Sequence, residues 1–319
     1  MRAIFKNIAG LSFVTVSLCF AQPAHLIEAA KLGDSFAQLQ LGELHESGRG
    51  VTKDLEAAVQ WYRQSALQGN AIAQYNLASM LEEGEGVSVN DQEALFWYRK
   101  AAEQGDAPSQ LALGLKLANG IGEKKDYTQA EKWYRSAAEQ GNMEAQKMLA
   151  LMLASGDGGS KNESEAVHWY RKAAEQGDAG AQYFLALALF QGTGVQKSNT
   201  EAGKWMRTSA RQGYLYAQSY LGTALALGTG GMPKNQTEAL KWLAIASERG
   251  DSAAQYSLAH MYAHGSGVTR SLEKAYFWLL LSASDNPEAR GPRDQIEQLL
   301  SSAKRAQLQS QASSWVPKK

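Results

Sequence analysis

Cysteine is almost missing from this chain: Cys19 is the single thiol in 319 residues, so no disulfide framework organises the fold. Proline is scarce at six residues, and 44% of the chain is hydrophobic. That is ordinary globular material, long enough for one extended or two compact domains. Net charge is missing too, with 32 Lys and Arg against 32 Asp and Glu. A balance this even leaves no electrostatic footprint for nucleic acid and no basic face for anionic lipid. Beyond the N-terminus no stretch approaches ~18 uninterrupted apolar residues, so no integral membrane span is expected there.

The one apolar run lies at the start. Arg2 and Lys6 precede Ile8 to Phe20, and the small residue Ala21 follows. Charged start, short apolar centre and small exit predict a signal peptide over residues 1–21, with Gln22 opening a periplasmic or secreted chain. Cys19 invites a lipoprotein reading, but Leu18 stands where a small residue should precede a lipidated cysteine.

What the chain has is a period. Trp61, Trp97, Trp133, Trp169, Trp205, Trp242 and Trp278 recur at spacings of 36 with a single 37. Glycine pairs keep the same register, from Gly48 and Gly50 to Gly265 and Gly267, and so do seven alanines from Ala58 to Ala275. Each unit reads as two helices. In the first unit Ala58, Trp61, Tyr62, Ser65 and Ala66 form one apolar stripe of a 3.6-residue helix. Asp54, Asn90, Asp126, Asn162, Ser198, Asn235 and Ser271 stand at its start as N-cap types. Glu93, Gln129, Glu165, Glu201 and Glu238 follow three residues later and predict capping boxes. The second helix stops at Gly69 and its counterparts, with Asn286 expected in the left-handed position of the seventh unit. First helices open at Asp34, Asn70, Asp106, Asn142, Asp178 and Asp251, with Tyr214 the exception. Small residues such as Ala37 and Gly42 let neighbouring helices approach.

These spacings predict an all-α chain, an α/α superhelical solenoid of seven helix-turn-helix repeats with capping helices at both ends. Its repeats span 34–69, 70–105, 106–141, 142–177, 178–213, 214–250 and 251–286, between a capping helix at 22–33 and closing helices at 287–319. Stacking is expected to bury the tryptophans as shared inter-repeat core.

Leu41-Gly42, Gly48-x-Gly50-Val51, Asp54, Ala58, Trp61-Tyr62 and Gln68-Gly69 together resemble the Sel-1-like repeat, a relative of the tetratricopeptide repeat. The chain departs from that pattern where the first-helix aromatic becomes His45 or leucine, returning at Tyr262, and where valine is lost at Glu123, Gly159 and Gly231. The resemblance implies a bacterial envelope adaptor or host-contact factor.

Chemical motifs are weak by comparison. Ser301-x-x-Lys304 and Ser284-Asp285-Asn286 match elements of penicillin-recognising enzymes. β-Lactam hydrolysis has been proposed for cysteine-rich relatives. Here the order is reversed, no K-T-G follows, and Ser271 and Asn286 are already assigned to periodic slots. His260 and His264 share a helix face but lack a third ligand, so no metal is expected. The Gly156–Lys161 turn lacks Walker spacing. No catalytic residue and no cofactor is expected; the chain reads as a monomeric, non-enzymatic scaffold for a protein or peptide partner. A β-lactam or cell-wall peptide hydrolase and a peptidoglycan- or glycan-binding module are the rivals.

The partner surface is expected on the concave face, in first-helix slots that the fold leaves free. Phe36, Gln40, Glu43 and Ser47 define these slots in the first unit, and the second unit fills them mostly with polar residues. In the fourth to sixth units they turn apolar and aromatic. Met148, Leu151, Phe184, Leu187, Gln191, Tyr216 and Tyr220 are therefore the candidate protein-binding residues.

Overall fold

A computed structural model describes residues 23–318 apart from Ser160. The segment expected to be a signal peptide, with Cys19, lies outside the described residues. Every regular element described is helical. The chain divides into two compact units, one ending at Ser109 with Ile121–Glu123 added, the other formed by Gln110–Gly120 and Lys124 onward.

The first unit holds α1 (Pro23–Lys31), α2 (Ser35–Ser47), α3 (Leu55–Leu67), α4 (Ala71–Glu83) and α5 (Asp91–Glu103), each packed on the next, and the start of α6 (Ala107–Asn119). The second holds the rest of α6, then α7 (Tyr127–Glu139), α8 (Met143–Ser155), α9 (Glu163–Glu175), α10 (Ala179–Gln191), α11 (Asn199–Arg211) and α12 (Leu215–Leu227). It continues through α13 (Gln236–Glu248), α14 (Ser252–His264) and α15 (Leu272–Ser282). A 3₁₀ turn at Pro287–Ala289, α16 (Arg290–Glu297) and α17 (Ser302–Ser313) close it, packing Ile296 and Leu308 around Tyr276 and Leu279.

The caps explain why the helices start where they do. Asn162 Oδ1 accepts the Glu165 N–H at 3.1 Å, and Asp178 Oδ1 accepts that of Ala181 at 2.6 Å. Tyr214 makes no such bond. Only half of the expected capping box forms, however. The N-cap N–H does not turn to the glutamate three residues on; it donates across the hairpin, Asn162 to Leu153 O and Ser198 to Leu189 O, at 2.9 and 3.0 Å. That backbone bond pins the start of each second helix to the first helix and frees the glutamate for another partner.

A second correction concerns Asn286. Its φ is −115°, so it is extended rather than left-handed, and its Oδ1 accepts the Glu288 N–H as N-cap of the 3₁₀ turn. The following Pro287 disfavours helical backbone at the residue before it, and α15 has already ended at Ser282.

Packing follows the repeat but shifts the expected centre by one residue. Trp97 and Trp169 are buried, whereas the other five periodic tryptophans are half-buried. The next residue is buried in every repeat: Tyr62, Tyr98, Tyr134, Tyr170, Met206, Leu243 and Leu279. It faces a small first-helix residue. A Cβ added to Gly42 would lie 2.4 Å from Tyr62 Cε1, and one on Gly114 would lie 2.6 Å from Tyr134 Cε1. The indole instead sits at the rim, where its N–H finds the freed glutamate: Trp169 to Glu165 at 3.4 Å and Trp205 to Glu201 at 3.3 Å. A buried ring with a polar edge is satisfied this way.

A polar ladder runs through each unit beside that core. Gln38 donates to Ala30 O, and Gln74 to Ala66 O, each at 3.0 Å. In the second unit Gln146 donates to Ala138 O, Gln182 to Ala174 O and Gln218 to Ala210 O. Five of the first-helix glutamines also accept a bond from the glutamine ending the next second helix, as Gln176 to Gln146 at 2.7 Å and Gln212 to Gln182 at 2.8 Å. In the sixth repeat Arg249 takes the donor's place on Gln218, and in the seventh Asp285 stands in that slot. Buried amides thus have both ends satisfied, which fixes the offset between repeats.

Candidate protein-binding surface

Helices α8, α10 and α12 carry the expected surface residues in the second unit. Each first helix buries its Ala, Gln and Leu slots, such as Ala181, Gln182, Leu185 and Leu189 on α10, and so turns the remaining slots outward. Met148, Leu151, Phe184, Leu187 and Tyr220 are half-buried, whereas Gln191 and Tyr216 are exposed.

Several of these residues are brought together by aromatic rings. Phe184 stacks on Tyr170 with centroids 5.4 Å apart and meets the edge of Tyr183 at 5.3 Å. Tyr183 lies 5.3 Å from Tyr214 and 6.4 Å from Tyr216, and those two are 5.7 Å apart. Phe184 and Tyr216 therefore belong to one cluster joined through Tyr183. Tyr220 stacks on Phe190 at 5.7 Å. Phe184, Leu187 and Gln191 line a shallow cavity of 200 Å³ with Tyr170, Val167 and Lys161. Met148 and Leu151 stand on α8 and share neither a ring contact nor that cavity.

Tyr183 and Tyr214 complete the cluster and, like Phe190 beneath Tyr220, were missed in the sequence. Tyr214 carried a signal: it stands in a slot that six other repeats fill with Asp or Asn. Its ring instead lies beside Gly180 at the start of α10. A Cβ there would lie 3.5 Å from Tyr214 Cε2. The cluster's edge is charged, with Lys147 Nζ 2.8 Å from Glu144 and 3.1 Å from Asp178. Burial works against the Lys147 charge, but the two carboxylates outweigh it and hold its pKa above the ordinary lysine value. Burial, helped by Tyr214 beside it, pushes the Tyr183 hydroxyl up to about 12. At neutral pH the surface therefore presents uncharged phenols beside a paired lysine, suited to amphipathic contact.

The enzyme-like motifs are engaged in local structure. Ser301 caps α17 by accepting the Lys304 N–H, and Ser284 Oγ donates to Leu281 O at 2.9 Å. The His260 and His264 rings stack at 4.1 Å, with His264 Nδ1 bonded to His260 O. Burial and then His264 lower the His260 pKa. Among the described residues no three His, Cys, Asp or Glu converge as metal ligands could, and no helix is long and apolar enough to cross a membrane. The glycine turns press on the preceding second helix, since a Cβ on Gly194 would meet Glu163 O at 2.3 Å. Their glycines serve close packing.

Comparison with known proteins agrees with this architecture. The Sel1 repeat family matches residues 35–70, 71–106, 107–142, 144–178, 179–214, 215–251 and 252–287. Among solved structures, a protective antigen present in uropathogenic Escherichia coli strains, displaying an SLR fold, is 35% identical with a TM-score of 0.83. The match covers 92% of this chain and 64% of that one, so the chain spans under two thirds of that protein's length. A Sel1 repeat protein from Oxalobacter formigenes is 36% identical with a TM-score of 0.60, over 70% of this chain and 96% of that one. No curated protein matched significantly. With seven consecutive matches over most of its length, each a pair of helices in succession, the chain belongs to the Sel1 repeat family.

Proposed function

We propose that the chain is a non-enzymatic scaffold of the bacterial envelope or secreted space that captures a protein segment on the first-helix face of its fourth to sixth repeats. Members of the family are typically protein-interaction scaffolds and generally non-catalytic. The observation that carries the proposal is the linked cluster Phe184, Tyr183, Tyr214 and Tyr216, placed where slots of the second repeat are mostly polar. Tyr216 is 57% exposed within it, and exposed clustered aromatics supply contact area at low entropic cost. The envelope setting rests on the charged and apolar pattern of residues 2–21.

A photo-crosslinker at position 216, with another at Lys204 on α11 as control, tests the surface in intact cells. A discrete adduct from position 216 alone, lost on Phe184→Ala, is expected; equal adducts from both positions would remove the proposal. Sustained hydrolysis of a chromogenic cephalosporin, abolished by Ser301→Ala, would overturn the scaffold reading. Mass spectrometry of the envelope fraction should find a chain beginning at Gln22.

A further inference from the structure

The first-helix face of the sixth and seventh repeats holds a cavity beyond the aromatic cluster. It measures 470 Å³ and lies between α12 and α14, with the connector into α13 on one side and the 3₁₀ turn on the other. Its slots are those of the 200 Å³ cavity beside Phe184. Lys234 answers to Lys161, His260 to Leu187 and Met261 to Ala188.

The chain itself shows what covers such a groove. Phe184 corresponds to Tyr220 in the sixth repeat and to Ser257 in the seventh. Phe184 stacks on Tyr170 between the fourth and fifth repeats, and Tyr220 stacks on Phe190 between the fifth and sixth. An aromatic ring therefore fills the groove at both of these junctions. At the next one the filler slot holds Ser257, while Leu243 and Ala226 stand at the slots of Tyr170 and Phe190. Neither ring of such a stack is present, and the groove stays open.

Its surfaces are accessible. Leu227 is 62% exposed at the mouth, His260 is exposed and Tyr256 is half-buried. On the floor the Thr223 and Ser257 hydroxyls bond each other at 2.9 Å, so the polar pair there satisfies itself. At the rim the side chains of Lys234, Gln236 and Glu288 have no hydrogen bond or ion pair among the described residues. Lys234 and Glu288 offset each other, which favours a neutral occupant. Gln236 and Glu288 can accept an indole N–H, as Glu165 does from Trp169 within the chain. Tyr216, Tyr220, Thr223 and Leu227 follow one another down a single face of α12, so a segment lying on the aromatic cluster runs on into the groove. We propose that the groove receives a tryptophan side chain of the captured protein segment; this rests on the scaffold reading. From Tyr216 to Leu227 the helix advances about 16 Å, so the tryptophan stands about five extended residues from the one seated on Tyr216.

The probe is N-acetyl-tryptophan amide, titrated against the full chain near neutral pH while the His260 ring resonances are followed by NMR. A saturable upfield shift is expected, half complete below about 5 mM. N-acetyl-leucine amide should bind more weakly, because a ring fills the groove and a short aliphatic chain does not. Ser257→Phe installs the filler of the fifth repeat, so it should abolish the shift and raise the Tm. Should that variant fail to fold by circular dichroism, Leu227→Glu at the exposed mouth should weaken binding about tenfold. In cells, a photo-crosslinker at position 227 should give the same adduct as one at position 216. An adduct from position 216 alone would overturn the tryptophan assignment and leave the scaffold reading standing, whereas adducts from neither would remove both. No shift at about 10 mM probe, equal binding of the leucine amide, or unchanged binding in Ser257→Phe would also overturn the assignment.

Discussion

Arg171 Nη1 lies 2.5 Å from the Oε1 of Glu201, thirty residues ahead on the next second helix. The same oxygen accepts the Trp205 indole N–H at 3.3 Å. Arg135, Glu165 and Trp169 repeat the arrangement, as do Arg63, Glu93 and Trp97. The third repeat has Gln129 in the glutamate slot, and Arg99 turns to Glu123 at 2.5 Å instead.

The arginine bonds hold the carboxyls of Glu93, Glu165 and Glu201 below the ordinary glutamate value of 4.5. A depressed folded-state pKa stabilises above the unfolded value, and that contribution is lost as pH falls through the folded value. Thermal melts should therefore hold level from neutrality to about pH 5 and fall below about 4.5. Replacing all three glutamates by Gln should lower the neutral Tm and flatten the acid limb. An unchanged acid limb would show that other carboxylates control it.

Glycine substitutions should separate two roles. Gly42→Ala forces a methyl to within 2.4 Å of the fully buried Tyr62 and should cost about 1–3 kcal/mol in urea unfolding. Gly203 lies inside α11 with no atom within 4 Å of its would-be Cβ. Gly203→Ala should stabilise by about 0.5–1 kcal/mol.

The glutamine ladder makes an asymmetric prediction. Gln146 is 3% exposed and serves both Ala138 O and Gln176, so Gln146→Ala strands two partners. A loss of about 2–3 kcal/mol is expected. Gln176→Ala, at an exposed position, should cost about 0.5–1 kcal/mol. Equal losses would mean that the ladder contributes only through its shape.

Position 45 should tolerate improvement. His45 fills a slot that is leucine in five other repeats, and its Nδ1 is buried without a hydrogen-bond partner. His45→Leu should raise stability by about 1–2 kcal/mol, measured by the same urea titration.

Much of the fold was legible because cap, small-residue and stop slots repeat seven times and each has one local physical reason. What local pattern could not supply was the partner of a side chain that reaches into the next repeat. Glu165 sits in a capping-box position, yet its partner Arg135 is thirty residues earlier. Trp61 and Tyr62 are adjacent aromatics, and only Gly42 facing Tyr62 decides which is enclosed. Asn286 was misassigned because its periodic slot was weighed without Pro287 beside it. At the candidate surface, Phe184 and Tyr216 stood out by slot, but Tyr183 joined them only through ring geometry across helices.

One irregularity in the period carries a last consequence. The sixth repeat has an additional residue between Gly228 and Asn235, yet Asn235 still donates to Leu225 O at 2.9 Å, the slot used by Ser198 on Leu189 in the fifth. The connector bulges while both helix ends stay clipped, tucking Met232 inward. Connectors of this kind are therefore the natural places for lengthening, epitope insertion or exchange between relatives, since their sequence can drift without altering how one hairpin hands over to the next.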